Sequence, residues 1–355
     1  MAKVLMDGNS AIAEAAIRAG CQCYFGYPIT PQNELTEYMA THLSRRKGCS
    51  FIQAESELAA ISMVHGASLA GVRAMTSSSS PGVSLMQEGI SYLAACGLPA
   101  IIVNMSRGGP GLGTISAAQS DYFQSTRGGG HGDYRTIVLG PSSVQELADL
   151  THHAFNLADK YLIPVIILGD GMLGQMKEPV EFKHEAPEVL PIRSPALRGA
   201  KGRPSRYIKT LSSQPIDMEE INWSLFRRYQ LIKKEETTYD TYMVDDAKLI
   251  VVAFGIAARI AKGAIKNAQA NGLKVGMLRP ITLWPFPSEK VQELAKQTKH
   301  FLVFEMSMGQ MVEDVQLSLE GKGEVSFYGR PGGVIPTPSE VFRVISRLCY
   351  QKGLK

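Results

Sequence analysis

The chain has 355 residues, 45% of them hydrophobic and 20% charged. This is an ordinary globular composition, not a disordered or collagen-like one, and at about 150 residues per domain it predicts two domains. Lys plus Arg number 37 and Asp plus Glu 33, a net charge of +4; spread over this length, it gives no support to a nucleic-acid or polybasic membrane surface.

No apolar run reaches the roughly 18 residues of a membrane helix. Met1–Asn9 lacks a basic stretch followed by an apolar one, so no secretory signal is expected. Cysteines stand at 21, 23, 49, 96 and 349. Their odd count predicts reduced thiols and a cytoplasmic location. Cys21-x-Cys23 lacks the C-x-x-C spacing of zinc and cluster motifs, so any redox metal centre is expected on another chain.

In chain order, Gly8–Ala19 reads as a helix capped by Asn9 or Ser10 and stopped by Gly20. Cys21–Tyr27 is strand-like and Gln32–Leu43 helical. Ser50–Ala54 is a short strand before a helix over 56–70. Val72–Thr76 is a strand entering a serine run, Ser77–Ser80, and 82–96 is helical. Pro99–Met105 is a nearly continuous apolar strand before a glycine-rich stretch over 107–132. Ser143–Lys160 is a helix and Ile163–Leu168 a buried strand. Short apolar strands between helices predict an α/β fold with a mostly parallel sheet. Ligands of such sheets sit beyond the carboxyl ends of the strands. That directs attention to 27–31, 54–57, 77–81 and 106–121.

Residues 175–245 show no period, and they read as a long connecting segment over the surface. Tyr207, Trp223, Phe226 and Tyr229 are expected to pack against something. From Lys248 the alternation resumes: strands over 249–254, 274–278, 301–304 and 325–328, and helices over 257–270, 288–297, 310–319 and 339–350. The expected domains are 1–180 and 246–355, joined by 181–245.

Generic motifs exclude several chemistries. The nearest match to a phosphate-binding loop, Gly169–Gln175, has Gln where lysine is required. Gly109–Thr114 lacks the third small residue of a dinucleotide fingerprint. No G-x-S-x-G elbow occurs. His152 and His153 point about 100° apart on a helix and suit a surface pair better than a metal site. His131 reads as a structural loop histidine.

Five ordered stretches are specific. They are Gly26-Tyr27-Pro28-Ile29-Thr30-Pro31, Gln53-Ala54-Glu55-Ser56-Glu57, Thr76–Gly82, Asn104–Pro110 and Leu278–Pro287. Together they resemble the 2-oxoacid:ferredoxin oxidoreductases over nearly the whole chain, the connecting segment apart. The closest likeness is to the alpha-type subunit acting on 3-methyl-2-oxobutanoate or 2-oxoglutarate. The resemblance implies a thiamine-diphosphate-binding, pyrimidine-type domain with a parallel sheet. It also implies a smaller transketolase C-terminal-like α/β domain. The implied reaction decarboxylates a 2-oxoacid on thiamine diphosphate, passes the acyl group to coenzyme A and sends electrons to ferredoxin. The cofactor lies between two chains, and this one holds the aminopyrimidine. A beta-type partner holds the diphosphate and Mg2+, while gamma or ferredoxin-like delta subunits complete a complex whose iron–sulfur clusters lie outside this chain.

In such a partner, Gly-Asp-Gly is followed further on by asparagines that complete the magnesium site. Here Gly169-Asp170-Gly171 is present, but residues 190–203 contain no asparagine. Asp170 therefore reads as a turn residue, and no metal ligand is expected in this chain.

The resemblance implies roles for particular residues. Glu55 is expected to bond N1′ of the aminopyrimidine, which then serves as the internal base. Glu57 reads as a helix-capping residue. Tyr27, Pro28, Ile29 and Ser79 are expected at the cofactor. Thr30, Arg107 and Gly108 are expected at the substrate: Arg107 for bidentate bonds to the carboxylate, Thr30 as a hydroxyl donor, Gly108 for close backbone approach. Thr30 also reads as a helix N-cap before Pro31. Two other readings are the beta subunit of a lipoamide-linked 2-oxoacid dehydrogenase and a non-catalytic assembly protein.

Overall fold

A computed structural model of the chain describes residues 3–183 and 196–354. Residues 184–195 of the expected connecting segment lie outside the described residues.

Pro164–Asp170 and Ala100–Ser106 are apolar along nearly their whole length, and every residue of both is buried. Strands with that composition belong in the middle of a parallel sheet covered on both faces. The seven-stranded sheet has the order Thr282–Trp284, Ile137–Leu139, Pro164–Asp170, Ala100–Ser106, Ala74–Ser78, Cys23–Gly26, Ser50–Gln53. All neighbours are parallel except Thr282–Trp284, which runs antiparallel to Ile137–Leu139. A five-stranded sheet has the order Glu324–Gly329, His300–Glu305, Leu249–Val252, Val275–Pro280, Tyr239–Tyr242, with only the last strand antiparallel. Val4–Asp7 pairs antiparallel with Lys177–Val180.

The helices follow their caps. Helix Val144–Tyr161 starts at Ser143, whose Oγ accepts from Glu146 N at 3.1 Å. It buries Val144, Leu147, Ala148, Thr151, Ala154, Phe155 and Ala158 at helical spacing. Helix Pro338–Gln351 opens with a reciprocal capping box between Thr337 and Glu340.

Several local expectations change. Helix Gly8–Arg18 is capped by Asp7, whose carboxylate accepts from Ser10 N at 2.8 Å, not by Asn9 or Ser10. Asn9 turns inward instead. Thr30 is not an N-cap: the helix begins at Asn33 after Gln32, and the Thr30–Pro31 peptide is cis. The connecting segment contains a 21-residue helix, Pro215–Glu235. Its Leu225, Tyr229 and Ile232 are buried at i, i+4 and i+7, a short apolar stripe among charged pairs. Tyr229 packs edge-on against Trp284 at 5.7 Å. Trp223 and Phe226 stay about half exposed but pack edge-on against each other at 5.7 Å, while Tyr207 is 89% exposed and does not pack as expected. Helix Tyr122–Arg127 lies within the glycine-rich stretch.

Strand pairing also crosses the expected boundary at 246. Tyr239–Tyr242 belongs to the second sheet, and Thr282–Trp284 completes the first. The domains are further joined by Arg279, nearly buried, which donates from Nη1 and Nη2 to both carboxylate oxygens of Glu146 at 2.9 and 2.8 Å. Among the described residues no helix is long and apolar enough to cross a membrane.

Removing one partner of a mostly buried bidentate pair leaves the other poorly compensated. Arg279→Ala should therefore cost about 2–3 kcal/mol, read as a lower urea midpoint. A midpoint equal to that of the unmodified chain would show that the pair does not couple the domains.

Candidate active site at the carboxyl ends of the parallel strands

The stretch after strand Cys23–Gly26 is held from beneath. Tyr24 is fully buried, and its Oη lies 2.6 Å from Ser77 Oγ and 2.9 Å from Thr36 Oγ1. Burial pushes its phenol up to about 12. Ser77 Oγ donates to Gln32 Oε1 at 2.6 Å, and Gln32 Nε2 reaches Tyr27 O at 3.4 Å. Asn9 Nδ2 donates to Pro31 O at 2.8 Å. Arg107 Nη1 donates to Thr30 O at 2.8 Å. Two successive carbonyls of this loop are thus gripped by buried side chains. Thr30 and Arg107 are brought together, as expected, though through the threonine backbone.

Arg107 is 6% exposed, and Nη2 donates to Leu112 O at 3.1 Å. Its Nε is buried and has no partner among the described residues. Among the described residues no carboxylate forms an ion pair with it. A buried guanidinium without a counter-charge is costly, so an unmatched cation of this kind marks a place for an anion. Gly108 follows at once. A methyl group there would meet Thr114 Oγ1 and the carbonyl of Gly332 from the second domain. Its smallness thus lets two loops close up beside Arg107.

The two glutamates separate. Glu55 is exposed, and its side chain makes no hydrogen bond or ion pair among the described residues. Ser56 caps helix Glu57–Leu69, its Oγ accepting from Ala59 N at 3.2 Å. Glu57, in the first turn, is 5% exposed and accepts from Ser78 Oγ at 3.2 Å. A methyl group at Gly82 would overlap both Ser78 Oγ and Glu57 Oε1, so this carboxylate sits in a cradle that only glycine leaves open. Ser79 is fully buried and its Oγ has no partner among the described residues. Tyr27 and Pro28 are exposed at the strand end and Ile29 is half-buried. A buried carboxylate, an orphaned hydroxyl and a buried cation at neighbouring strand ends fit a polar heterocycle and a small anion.

Asp170 is occupied elsewhere. Its Oδ1 accepts from Met172 N and Leu173 N at 3.0 Å each, and its carboxylate also accepts from Ile256 N of the second domain. Burial nevertheless raises it from 3.8 to about 6. Rather than the turn residue expected, Asp170 is the N-cap of helix Gly171–Gln175, and it also meets the first turn of helix Gly255–Ala270.

Residues 14–244 match the family model described as the thiamine-diphosphate-binding part of pyruvate flavodoxin/ferredoxin oxidoreductase. Residues 247–341 match pyruvate:ferredoxin oxidoreductase core domain II. The chain belongs to the 2-oxoacid:ferredoxin oxidoreductase family. It is similar to the ketoisovalerate oxidoreductase subunit VorB of Methanothermobacter marburgensis, with 48% identity over 99% of this chain and 100% of that one. It is 37% identical to the 2-oxoglutarate synthase subunit KorA of Methanothermobacter thermautotrophicus, over 97% and 98% of the two chains. The 2-oxoglutarate:ferredoxin oxidoreductase from Magnetococcus marinus, solved with 2-oxoglutarate, coenzyme A and succinyl-CoA bound, superposes with a TM-score of 0.87 at 27% identity. The match covers 97% of this chain and 65% of that one, so the chain spans about two-thirds of that structure's chain. A split-gene transketolase in an inactive beta4 tetramer shares the fold alone, with a TM-score of 0.58 at 16% identity.

Within this family frame, the chain is one subunit of a thiamine-diphosphate-dependent 2-oxoacid:ferredoxin oxidoreductase. The readings as a lipoamide-linked dehydrogenase subunit and as an assembly protein are set aside. The burial difference between Glu55 and Glu57 was partly legible in the sequence: Ser56 is a good cap, which places Glu57 inside the helix.

Asp170 gives a prediction with a definite sign. A carboxyl raised in the folded state stabilises fully below its unfolded value, near 4, and that contribution is lost as pH rises through about 6. The stability difference between the unmodified chain and Asp170→Asn should therefore change between pH 4 and 6 and level off above. Urea titrations at half-unit steps measure it; a flat difference refutes the assignment.

Proposed function

We propose that this subunit binds the aminopyrimidine half of thiamine diphosphate and the carboxylate of a branched-chain 2-oxoacid, 3-methyl-2-oxobutanoate. The observation that carries the proposal is Arg107, a buried guanidinium that among the described residues has no counter-ion and an unpartnered Nε beside the Thr30 loop. It can offer charge-assisted hydrogen bonds to a carboxylate. Thr30 Oγ1 and the Gly108 backbone would orient the remainder of the substrate. Leu112 and Ile115, on the loop that closes over Arg107, are apolar and exposed, which supports an aliphatic substrate side chain. The full-length likeness to the ketoisovalerate enzyme subunit supports the same class; 2-oxoglutarate is the alternative.

When bound, thiamine diphosphate supplies the carbon nucleophile and electron sink for decarboxylation. Of this chain's residues, we assign the carboxyl at N1′ to Glu57 in place of Glu55. A group that holds a proton against a ring nitrogen must be fixed and dry, and Glu57 is buried, cradled by Gly82 and bonded by Ser78. Ser79 Oγ would meet a polar atom of the ring, and Tyr27, Pro28 and Ile29 would flank it. Coenzyme A is the proposed acyl acceptor.

Tyr27, Ile52, Leu58, Leu85, Leu112 and Ile115 are all partly or largely exposed near this end of the sheet. Apolar side chains so placed fit docking of a beta-type subunit that carries the diphosphate and Mg2+. Cluster-bearing gamma or delta subunits and ferredoxin would complete the path. Five unpaired cysteines support a reducing, cytoplasmic location.

Tagging the chain in its host and purifying it gently should recover partner chains, iron and thiamine diphosphate; recovery alone and cofactor-free refutes the proposal. In that complex Glu57→Gln should lose about 100-fold or more in kcat while assembly persists, and Glu55→Gln should stay near normal. The reverse result returns the role to Glu55. Arg107→Ala should raise KM for 3-methyl-2-oxobutanoate about 10- to 100-fold and leave KM for coenzyme A unchanged. Equal effects on both would rule out a carboxylate contact.

A further inference from the structure

Arg107 is held in place by a network that reaches the second domain. Ser80 Oγ accepts from Arg107 N at 2.9 Å and donates to Asp121 Oδ2 at 2.6 Å. Asn104 Nδ2 donates to the same Asp121 oxygen at 2.9 Å, and Asn104 Oδ1 accepts from Ser80 N at 3.1 Å. Asp121 thus closes a buried ring of polar groups behind the arginine backbone.

The residues on either side of Asp121 are fastened to the second domain. Gln119 N donates to Met306 O at 2.9 Å, and Gln119 Oε1 accepts from Met306 N at 2.9 Å. Gln119 Nε2 donates to Phe254 O at 2.8 Å. Gln310 Nε2 donates to Ser120 O at 2.7 Å, while its Oε1 accepts from Phe123 N at 2.7 Å. Tyr122 Oη donates to Asp314 Oδ2 at 2.6 Å. Residues 119, 120, 122 and 123 are therefore all gripped by the other domain, and Asp121 is the one among them that turns back toward Arg107.

We propose that Asp121 is a positioning residue through which the docked second domain holds Arg107 in register for the 2-oxoacid carboxylate. This rests on the reading of Arg107 as the carboxylate-binding group. Asp121 forms no ion pair with Arg107 among the described residues, so the link runs through the Ser80 hydroxyl and the backbone. What matters is then an acceptor oxygen at that point, not a negative charge. A single amide oxygen can accept both hydrogen bonds that Oδ2 now receives.

The test is steady-state kinetics of the complete complex with 3-methyl-2-oxobutanoate and coenzyme A. Asp121→Ala should raise KM for the oxoacid about tenfold, with KM for coenzyme A unchanged and a smaller effect on kcat. Asp121→Asn should restore most of that loss. Gln119→Ala, which loosens the same segment from the second domain, should move the oxoacid KM in the same direction. An oxoacid KM unchanged in Asp121→Ala but raised in Arg107→Ala overturns the proposal and leaves the arginine reading standing. An unchanged KM in Arg107→Ala defeats that reading and the proposal with it. A rise in both Michaelis constants with an equal fall in kcat marks a merely structural role and also overturns it. If Asp121→Ala fails to assemble, Ser80→Ala breaks the next bond of the same link: a selective rise in oxoacid KM supports the proposal, and no change refutes it.

Discussion

An arginine buried without an opposite charge organises much of this molecule. Its cation is expensive to desolvate, and among the described residues no carboxylate pairs with it. The surrounding chain lowers that cost with carbonyl oxygens, from Thr30 and Leu112, which solvate the guanidinium without cancelling its charge. Those same bonds fix the loop that carries Thr30. The residue proposed to bind the substrate carboxylate is thereby also a structural brace for its own pocket.

The second domain is more than a neighbour of this site. Its strand Thr282–Trp284 finishes the first sheet, its Arg279 grips the first domain's helix Val144–Tyr161, and its loop beyond strand His300–Glu305 clasps residues 119–123. Glu305 is wholly buried at the start of that clasp and accepts from Ser307 Oγ and from the amides of Gln310, Met311 and Val312. Burial pushes its carboxyl above the usual carboxylate value, and these bonds hold back only part of that rise. Three amides converging on one carboxylate make the turn stiff, so the groups it presents to Gln119 and Ser120 are fixed.

The order of strands and helices was legible because their apolar patterns are strong. Pro164–Asp170 announces a central strand by being apolar almost throughout. Helix Pro215–Glu235 did not announce itself: Glu219-Glu220, Arg227-Arg228 and Lys233-Lys234 interrupt the period, and only Leu225, Tyr229 and Ile232 mark the inner face. Strand Thr282–Trp284 has three residues, too few for any period, and exists because Ile137–Leu139 offers an edge. At the site, Thr30 and Arg107 stood out by their motif and do meet. The proposal of Glu57 over Glu55 rests on burial, which a motif containing both cannot encode. The role proposed for Asp121 had no sequence signal, because the residues that flank it are fixed by the closure of one domain on the other.

The interleaving of the sheets bears on how the protein is made. During synthesis the first sheet's strands emerge early, yet Ile137–Leu139 keeps one edge uncovered until most of the intervening chain has followed and Thr282–Trp284 arrives. An uncovered edge is a template for any extended segment nearby. The nascent chain thus carries an adhesive border through a long stretch of translation. Pace on the ribosome, and shelter by chaperones, would govern the yield of this subunit as much as the stability of its finished form.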